Sequence, residues 1–177
     1  KGGVGKTTVT IGVAQALTAL GIKVGVIDLD LESSSLGNTL GLTHEKLTMR
    51  DKIEPVDVAG IKAMSLSLFP DEQWEDIPTL LNEANVFRVV NQLFTSVNWQ
   101  GVDILIIDHP PGTGPELRAL IRNGIDALIL VTATQQISEM PVRRLVRMAR
   151  EELRVPILGV ISNDAYATRK VDGSSAA

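Results

Sequence analysis

The chain opens with Lys1-Gly2-Gly3-Val4-Gly5-Lys6-Thr7-Thr8, and a stretch with apolar residues at helical spacing follows directly. Glycines at this density let successive backbone N–H groups curl around an anion, and a helix start adds the positive end of its dipole. Lys6 supplies a mobile positive charge for the β- and γ-phosphates, and the Thr7 hydroxyl is placed to ligate Mg²⁺. The stretch therefore predicts a phosphate-binding loop for ATP and Mg²⁺ formed by Gly2, Gly3, Val4, Gly5, Lys6, Thr7 and Thr8. The alternative, a flexible glycine-rich tail, leaves the lysine and threonine positions unexplained.

The loop pattern also predicts a segment ahead of Lys1. The pattern G-x-x-x-x-G-K-[ST] begins with a further glycine, which would fall before the first residue of this chain. We therefore expect the first strand of the sheet, which feeds the loop, to precede Lys1. An N-terminal targeting segment stays open for the same reason.

Beyond the loop, short apolar runs alternate with helix-like stretches. This alternation predicts parallel βαβ units, and hence a doubly wound, mainly parallel α/β sheet with helices on both faces. We expect residues 1–170 to form a single domain and residues 171–177 to form a flexible tail. The predicted helices cover residues 5–20, residues 78–97 and a segment from Ser138; the predicted strands cover residues 22–29, 59–68, 104–107, 127–131 and 156–162.

The composition narrows the class of protein. The chain has 177 residues, a formal net charge of −4, 44% apolar and 21% charged residues, and no cysteine. No apolar run approaches the roughly 20 residues that cross a bilayer, so we expect a cytoplasmic protein without a transmembrane segment. The absence of cysteine excludes disulfides and cysteine-ligated clusters within these residues. The acidic balance and the 3% aromatic content argue against a dedicated nucleic-acid binder.

Five arginines lie on one stretch that has apolar residues on its other face. One interpretation is contact with the phosphate backbone of DNA. The other, which the net charge favours, is a solvated amphipathic face partly paired with neighbouring glutamates. The five are Arg143, Arg144, Arg147, Arg150 and Arg154.

Acidic residues follow two of the predicted strands. Asp28 and Asp30 stand two apart at a strand end, and Asp108 follows the apolar run of residues 104–107. In open α/β sheets, ligands bind at this carboxyl edge. We therefore predict that Asp28, Asp30 and Asp108 act with Thr7 in holding Mg²⁺, and that Asp30 also orients the attacking water. The plainer alternative is that strand-end acids only begin turns.

The loop Asp108-His109-Pro110-Pro111-Gly112-Thr113-Gly114 predicts a sensor of nucleotide state. The prolines stiffen the loop, and Gly112 can bring its amide close to a γ-phosphate. His109 could act as a general base, but we interpret it as a structural side chain and leave it outside the catalytic set.

The lysine ahead of the glycine loop resembles a feature of one ATPase group. Lys1 followed by Gly-Gly-Val-Gly-Lys-Thr is similar to the deviant Walker A motif of the Mrp/MinD/ParA ATPases. In that group the extra lysine reaches across a dimer to the partner's nucleotide. The resemblance implies a homodimer that sandwiches ATP, with Lys1 as a catalytic residue alongside Lys6 and Asp30.

The segment from Asp108 to Gly114 narrows the resemblance to the Mrp/ApbC branch, whose members carry and transfer iron–sulfur clusters. Asp28-Leu29-Asp30 is similar to the acids of that family's first switch, and Asn163 matches the asparagine that contacts adenine. The resemblance implies slow, Mg²⁺-dependent ATP hydrolysis coupled to cluster carriage and delivery to apoproteins. The alternative is a MinD/ParA-like spatial-organisation ATPase that binds membrane or DNA in its ATP-bound dimer.

The chain departs from the family pattern at three places. Pro115 replaces an acidic residue, and Ser162-Asn163-Asp164 replaces Glu-Asn-Met. The Cys-x-x-Cys that holds a cluster between two subunits does not occur in the chain. Either that stretch lies outside these residues, or this member holds no cluster.

Overall fold

The computed structural model describes residues 3–30, 36–42, 47–65, 68, 83–133, 146–152 and 154–163. The chain divides into two compact units, Lys1–Ile125 and Asp126–Ala177, and each is described by itself.

The first unit contains four helices and six strands in its described residues. Their bounds in chain order are α1 Lys6–Ala19, β1 Val24–Asp28, α2 Leu36–Thr39, β2 Thr48–Met49, β3 Ile53–Glu54, β4 Val56–Val58, β5 Ile61–Met64, α3 Glu83–Thr95, β6 Ile104–Asp108 and α4 Pro115–Arg122.

The main sheet of this unit has the strand order β4-β5-β1-β6. Strands β5, β1 and β6 are parallel, and β4 runs antiparallel along β5. Val24 pairs with both Ile61 and Ile104, and Asp28 at the end of β1 pairs with Asp108 at the end of β6. The register therefore brings these two carboxylates to the same edge of the sheet.

Helices cover both faces of this sheet. Every residue of β1 is buried, which explains its continuous apolar run. Val24 and Val26 pack in a cluster with Ile11 and Ala14 of α1. Ile27, whose side chain points to the opposite face, packs in a second cluster to which α3 and α4 contribute. The predicted α/β class, with a mainly parallel sheet between helices, is confirmed.

Several short elements differ from the sequence prediction. The strand expected over residues 59–68 begins only at Ile61, because Ala59 and Gly60 both have positive φ and turn the chain from β4 into β5. Helix α4 was not predicted, since its short apolar pattern follows two prolines and two glycines. Helix α2, strand β4 and a two-residue antiparallel ladder between β2 and β3 are further additions.

In its described residues, the second unit contains two parallel strands, β7 Leu128–Ala133 and β8 Ile157–Asn163. A π-helical segment, Met148–Glu152, precedes β8. Exposed Arg147 donates to Glu151 at 2.8 Å, as expected for a solvated basic face. Of the helix predicted from Ser138, the structure describes residues 146–152, which are helical; its start, Arg143, Arg144 and the predicted tail at 171–177 lie outside the described residues. The single domain over 1–170 stays a prediction.

Within the part of the chain that the structure describes, no helix has the length and apolar character needed to cross a membrane.

Candidate functional site

The glycine loop ahead of α1 has the backbone conformation that its sequence predicts. Gly3 and Gly5 have φ of +81° and +84°, in the left-handed region that favours glycine. Val4 between them is buried and anchors the loop. Lys6, Thr7 and Thr8 then form the first turn of the 14-residue helix α1.

The start of α1 carries no negative charge of its own. The residue at the N-cap is Gly5, so no side chain caps the helix, and the first turn contains no acidic residue. The first N–H groups of a helix need outside partners, and together with the helix dipole they attract anions. This helix start therefore has the character of a phosphate-binding site.

The Asp108 carboxylate lies against the same face of α1. Thr7 Oγ1 donates to Asp108 Oδ2 at 2.5 Å, and Thr10 Oγ1 donates to Asp108 Oδ1 at 3.4 Å. The backbone carbonyl of Asp108 accepts from the Leu29 N–H at 2.9 Å. Strand β6, strand β1 and helix α1 thus all fix the position of Asp108.

Burial raises the pKa of Asp108 above its ordinary value of 3.8, and the negative charge of Asp28 adds to the rise. The hydrogen bond from Thr7, the positive charge of Lys6 and the hydrogen bond from Thr10 act in the opposite direction. The carboxylate is therefore held in a place where its charge is costly unless a cation or a donor compensates it.

The Asp28 carboxylate accepts hydrogen bonds from the backbone around it. Its Oδ1 accepts from the Asp30 N–H at 2.9 Å, and its Oδ2 accepts from the Leu36 N–H at 3.1 Å. Leu36 is the first residue of α2, so Asp28 joins the end of β1 to the start of that helix. Asp30 lies two residues beyond, partly exposed at the same edge.

The loop between β6 and α4 is filled by its own side chains. His109 Nδ1 donates to the Pro110 carbonyl at 2.6 Å, while its Nε2 is buried without a hydrogen-bond partner. Burial lowers the pKa of His109 below its ordinary value of 6.5. Glu116 folds back so that its carboxylate would collide with a Cβ at Gly114.

The structure brings some of the predicted site residues together and leaves others apart or undescribed. Thr7 and Asp108 are in direct contact. Gly112 lies in the exposed loop after β6 with φ of +106°, and Asn163 ends β8 in the second unit. Lys1 and Gly2 lie outside the described residues. The described residues contain no cluster of three or more His, Cys, Asp or Glu able to hold a metal ion, so the set of Asp28, Asp30 and Asp108 stays a prediction.

Thr10 and Glu116 are the two neighbours of the site that sequence reasoning missed. The position of Thr10 near the site follows from its spacing, because residues three apart on a helix share a face and Thr7 is a predicted ligand of Mg²⁺. No local pattern indicates that the Glu116 carboxylate folds back over Gly114.

The chain is similar to known proteins over most of its length. The architecture and the loop place the chain in the class of α/β P-loop NTPases. A ParA family model, described as NUBPL iron-transfer P-loop NTPase, matches residues 1–176. The chain belongs to this family of iron-transfer P-loop NTPases.

The chain is also similar to proteins named iron-sulfur cluster carrier protein. The iron-sulfur cluster carrier protein of Aquifex aeolicus is 36% identical over 170 residues, covering 94% of this chain and 46% of the relative. That of Methanocaldococcus jannaschii is 36% identical over 168 residues, covering 92% of this chain and 57% of the relative. The chain therefore spans about half the length of the relatives it matches.

Two solved structures show the same fold with nucleotide bound. The nucleotide-binding protein of Archaeoglobus fulgidus in complex with ADP superposes with a TM-score of 0.74 at 27% identity, covering 92% of this chain and 62% of that one. The septum site-determining protein MinD of Pyrococcus horikoshii, complexed with Mg-ADP, gives a TM-score of 0.67 at 25% identity, covering 96% and 69%.

The residues present fit Mg²⁺ and a nucleotide. Mg²⁺ prefers oxygen ligands and is commonly bound by one or two protein oxygens, with phosphates and water completing its shell. The hydroxyl of Thr7 and the carboxylate of Asp108 form such a pair at the first turn of α1, beside its anion-attracting start.

Proposed function

We propose that this chain binds Mg·ATP at the start of α1 and hydrolyses it slowly to ADP and phosphate, as the nucleotide-driven part of an iron–sulfur cluster carrier. The observation that carries the proposal is the contact of Thr7 with buried Asp108 beside a glycine loop and a helix start that has no acidic residue. The family of iron-transfer P-loop NTPases supports the same activity.

Each residue of the site has a physical role in this proposal. The loop amides and Lys6 bind the phosphates and stabilise the charge that develops on them. Thr7 and Asp108 would hold the metal ion. Mg²⁺, when bound, neutralises charge on the β- and γ-phosphate oxygens. Asp30 orients the attacking water.

Three further residues complete the proposed nucleotide site. Lys1 reaches the nucleotide of the partner subunit in an ATP-bound homodimer. Gly112 senses the γ-phosphate, and Asn163 contacts adenine. The support for Lys1 and Asn163 is the family resemblance, and the support for Gly112 is its left-handed backbone in an exposed loop.

The proposed cargo is an iron–sulfur cluster that is passed to client apoproteins. The support is the similarity to relatives that are named iron-sulfur cluster carrier protein. The 177 residues contain no cysteine and so offer no thiolate ligand of their own. Cluster carriage is therefore proposed for the whole protein, and the nucleotide chemistry for this chain.

A second candidate is a spatial-organisation ATPase, which the similarity to MinD favours. Such a protein would sediment with liposomes or DNA in ATP but not in ADP. Nucleotide-independent behaviour in that assay would exclude the second candidate while leaving the carrier proposal intact.

The proposal is tested by removing the phosphate-binding charge. Lys6→Ala should weaken the affinity for Mg·ATP by roughly 100-fold or more in calorimetry, because a buried phosphate loses its nearest cation. The matched control is Lys23→Ala, which removes the same charge at the amino end of β1 and should bind normally. Undiminished affinity in Lys6→Ala would contradict the assignment of the loop.

The hydrolysis arm of the same experiment uses Asp30→Ala. This variant should bind Mg·ATP like the wild type but release phosphate more slowly, and the ATP-bound dimer should accumulate. If it turns over at the wild-type rate, the water is oriented by another residue.

A further inference from the structure

The hydroxyl of Thr10 has an unusual partner for a helical threonine. Inside helices, threonine hydroxyls commonly donate to the carbonyl four residues earlier. Thr18 does so to Ala14 at 2.9 Å, and Thr95 does so to Asn91 at 3.0 Å. Thr10 instead donates to the Asp108 carboxylate, which lies 98 positions away in the sequence.

This contact gives each oxygen of Asp108 its own hydroxyl donor. Thr7 bonds Oδ2 and Thr10 bonds Oδ1, because residues three apart on α1 face the same side. A carboxylate rotates readily about its last torsion angle, and a single hydrogen bond leaves that rotation poorly fixed. Two donors on different oxygens fix the plane of the group.

Burial makes the second donor matter. Asp108 is 5% exposed and Thr10 is 8% exposed, so bulk water is excluded as a ready replacement for either hydroxyl. The longer Thr10 contact, at 3.4 Å, is the weaker of the two in the structure.

We propose that Thr10 is a positioning residue of the metal site: it holds the Asp108 carboxylate in the orientation that serves Mg²⁺ while Thr7 acts as a ligand. This inference rests on the proposed function. Thr10 itself touches neither nucleotide nor metal, and it acts only through Asp108.

The test separates ADP binding from its enhancement by Mg²⁺. Calorimetry of ADP with and without Mg²⁺ gives the Mg²⁺-dependent gain in affinity for each variant. Thr10→Val should reduce that gain about 3- to 10-fold, the effect of one hydrogen bond, while ADP binding without Mg²⁺ stays within about twofold of wild type. Thr10→Ser keeps the hydroxyl and should restore the gain.

A matched control lies on the same helix. Thr18→Val makes the same hydroxyl-to-methyl change, where the hydroxyl contacts only the helix backbone, and should leave the Mg²⁺-dependent gain unchanged. Thr10→Ala removes the Thr10 hydroxyl with less bulk and must reproduce the loss, which covers the case in which Thr10→Val folds poorly.

The outcomes are distinguishable. If Thr10→Val and Thr10→Ala show the same Mg²⁺-dependent gain in ADP affinity as the wild type, the inference is overturned and the proposed function stands. Equal losses with and without Mg²⁺, or no rescue by Thr10→Ser, also overturn it, because they indicate a role in stability alone. Failure of the wild type to bind ADP at all overturns the proposed function, and the inference with it.

Discussion

Two helices of the first unit begin after glycine-containing loops, and they begin differently. Neither helix has a side-chain cap, and helix α1, which follows Gly3 and Gly5, also has no acid in its first turn. Helix α4 follows Gly114 with Pro115 in its first turn and with Glu116, whose carboxylate lies over Gly114. The start of α4 thus carries its own negative charge, whereas that of α1 does not.

The difference shows how one chain keeps a positive helix end available. A carboxylate in the first turn stabilises a helix by about 0.3–1 kcal/mol at an exposed site. Helix α1 lacks this stabilisation. The nearby hydroxyl of Thr7 and carboxylate of Asp108 supply oxygen ligands of the kind that a phosphate-bound metal ion requires. Stability is given up at the helix where an outside anion is proposed to bind.

The largest effect on nucleotide affinity is expected when the start of α1 is given a negative charge like that of α4. Gly5→Asp places a carboxylate at the start of α1, in a left-handed conformation that Asp tolerates better than most residues. We expect at least roughly tenfold weaker binding of Mg·ADP in calorimetry than in Gly5→Asn, because the added charge repels the phosphates. The same charge should raise Tm slightly relative to Gly5→Asn.

Gly5→Asn is the matched control, since it has the same shape and the same backbone demand without the charge. Equal nucleotide affinities in the Asp and Asn variants would mean that phosphate binds away from this helix start. Opposite changes in affinity and stability are the specific signature of the anion site.

A smaller effect is expected at His109, in the loop that leads to α4. His109→Leu replaces a side chain whose buried Nε2 lacks a hydrogen-bond partner with an apolar one of similar size. Because burial lowers the pKa of His109 in the folded state, the unfolded chain binds a proton first as the pH falls below about 6.5. Acidification therefore destabilises the wild type through this group, and the variant is free of that loss.

The measurement is the difference in Tm between His109→Leu and wild type at pH 8.5, 7.5 and 5.5. We expect the difference in Tm to be constant between the two higher pH values and to shift in favour of the variant at pH 5.5. A difference that stays constant down to pH 5.5 would show that His109 titrates as it does in the unfolded chain.

The elements that can be predicted from the sequence are those whose pattern lies within a short stretch of residues. The glycine loop, helix α1 and the buried strands β1 and β6 were found because glycines, helical spacing and continuous apolar runs are local patterns. The turn at Ala59 and Gly60 was missed because the alternating residues around it also suit one longer strand.

The site was predictable in its types of residue and not in its contacts. Thr7 and Asp108 were expected to share a metal, and they meet 101 positions apart in the sequence. The bond of Thr10 to the same carboxylate depends on how α1 packs against β6, which no local pattern encodes. The two backbone hydrogen bonds of Asp28 depend in the same way on where Leu36 and α2 begin.

The smallest expected effect concerns the charge at the start of α4. Glu116→Gln keeps the shape of the side chain and removes its charge, so α4 should lose the favourable interaction with its own dipole, about 0.3–1 kcal/mol. The check is Tm at low ionic strength and at 1 M salt, because the Debye length shrinks from about 10 Å at 0.1 M to about 3 Å at 1 M. The deficit of the variant should fade in high salt, since a dipole interaction is screened and a packing contact is not. A deficit of equal size in both salts would assign Glu116 a packing role over Gly114, and the contrast between the two helix starts would then rest on α1 alone.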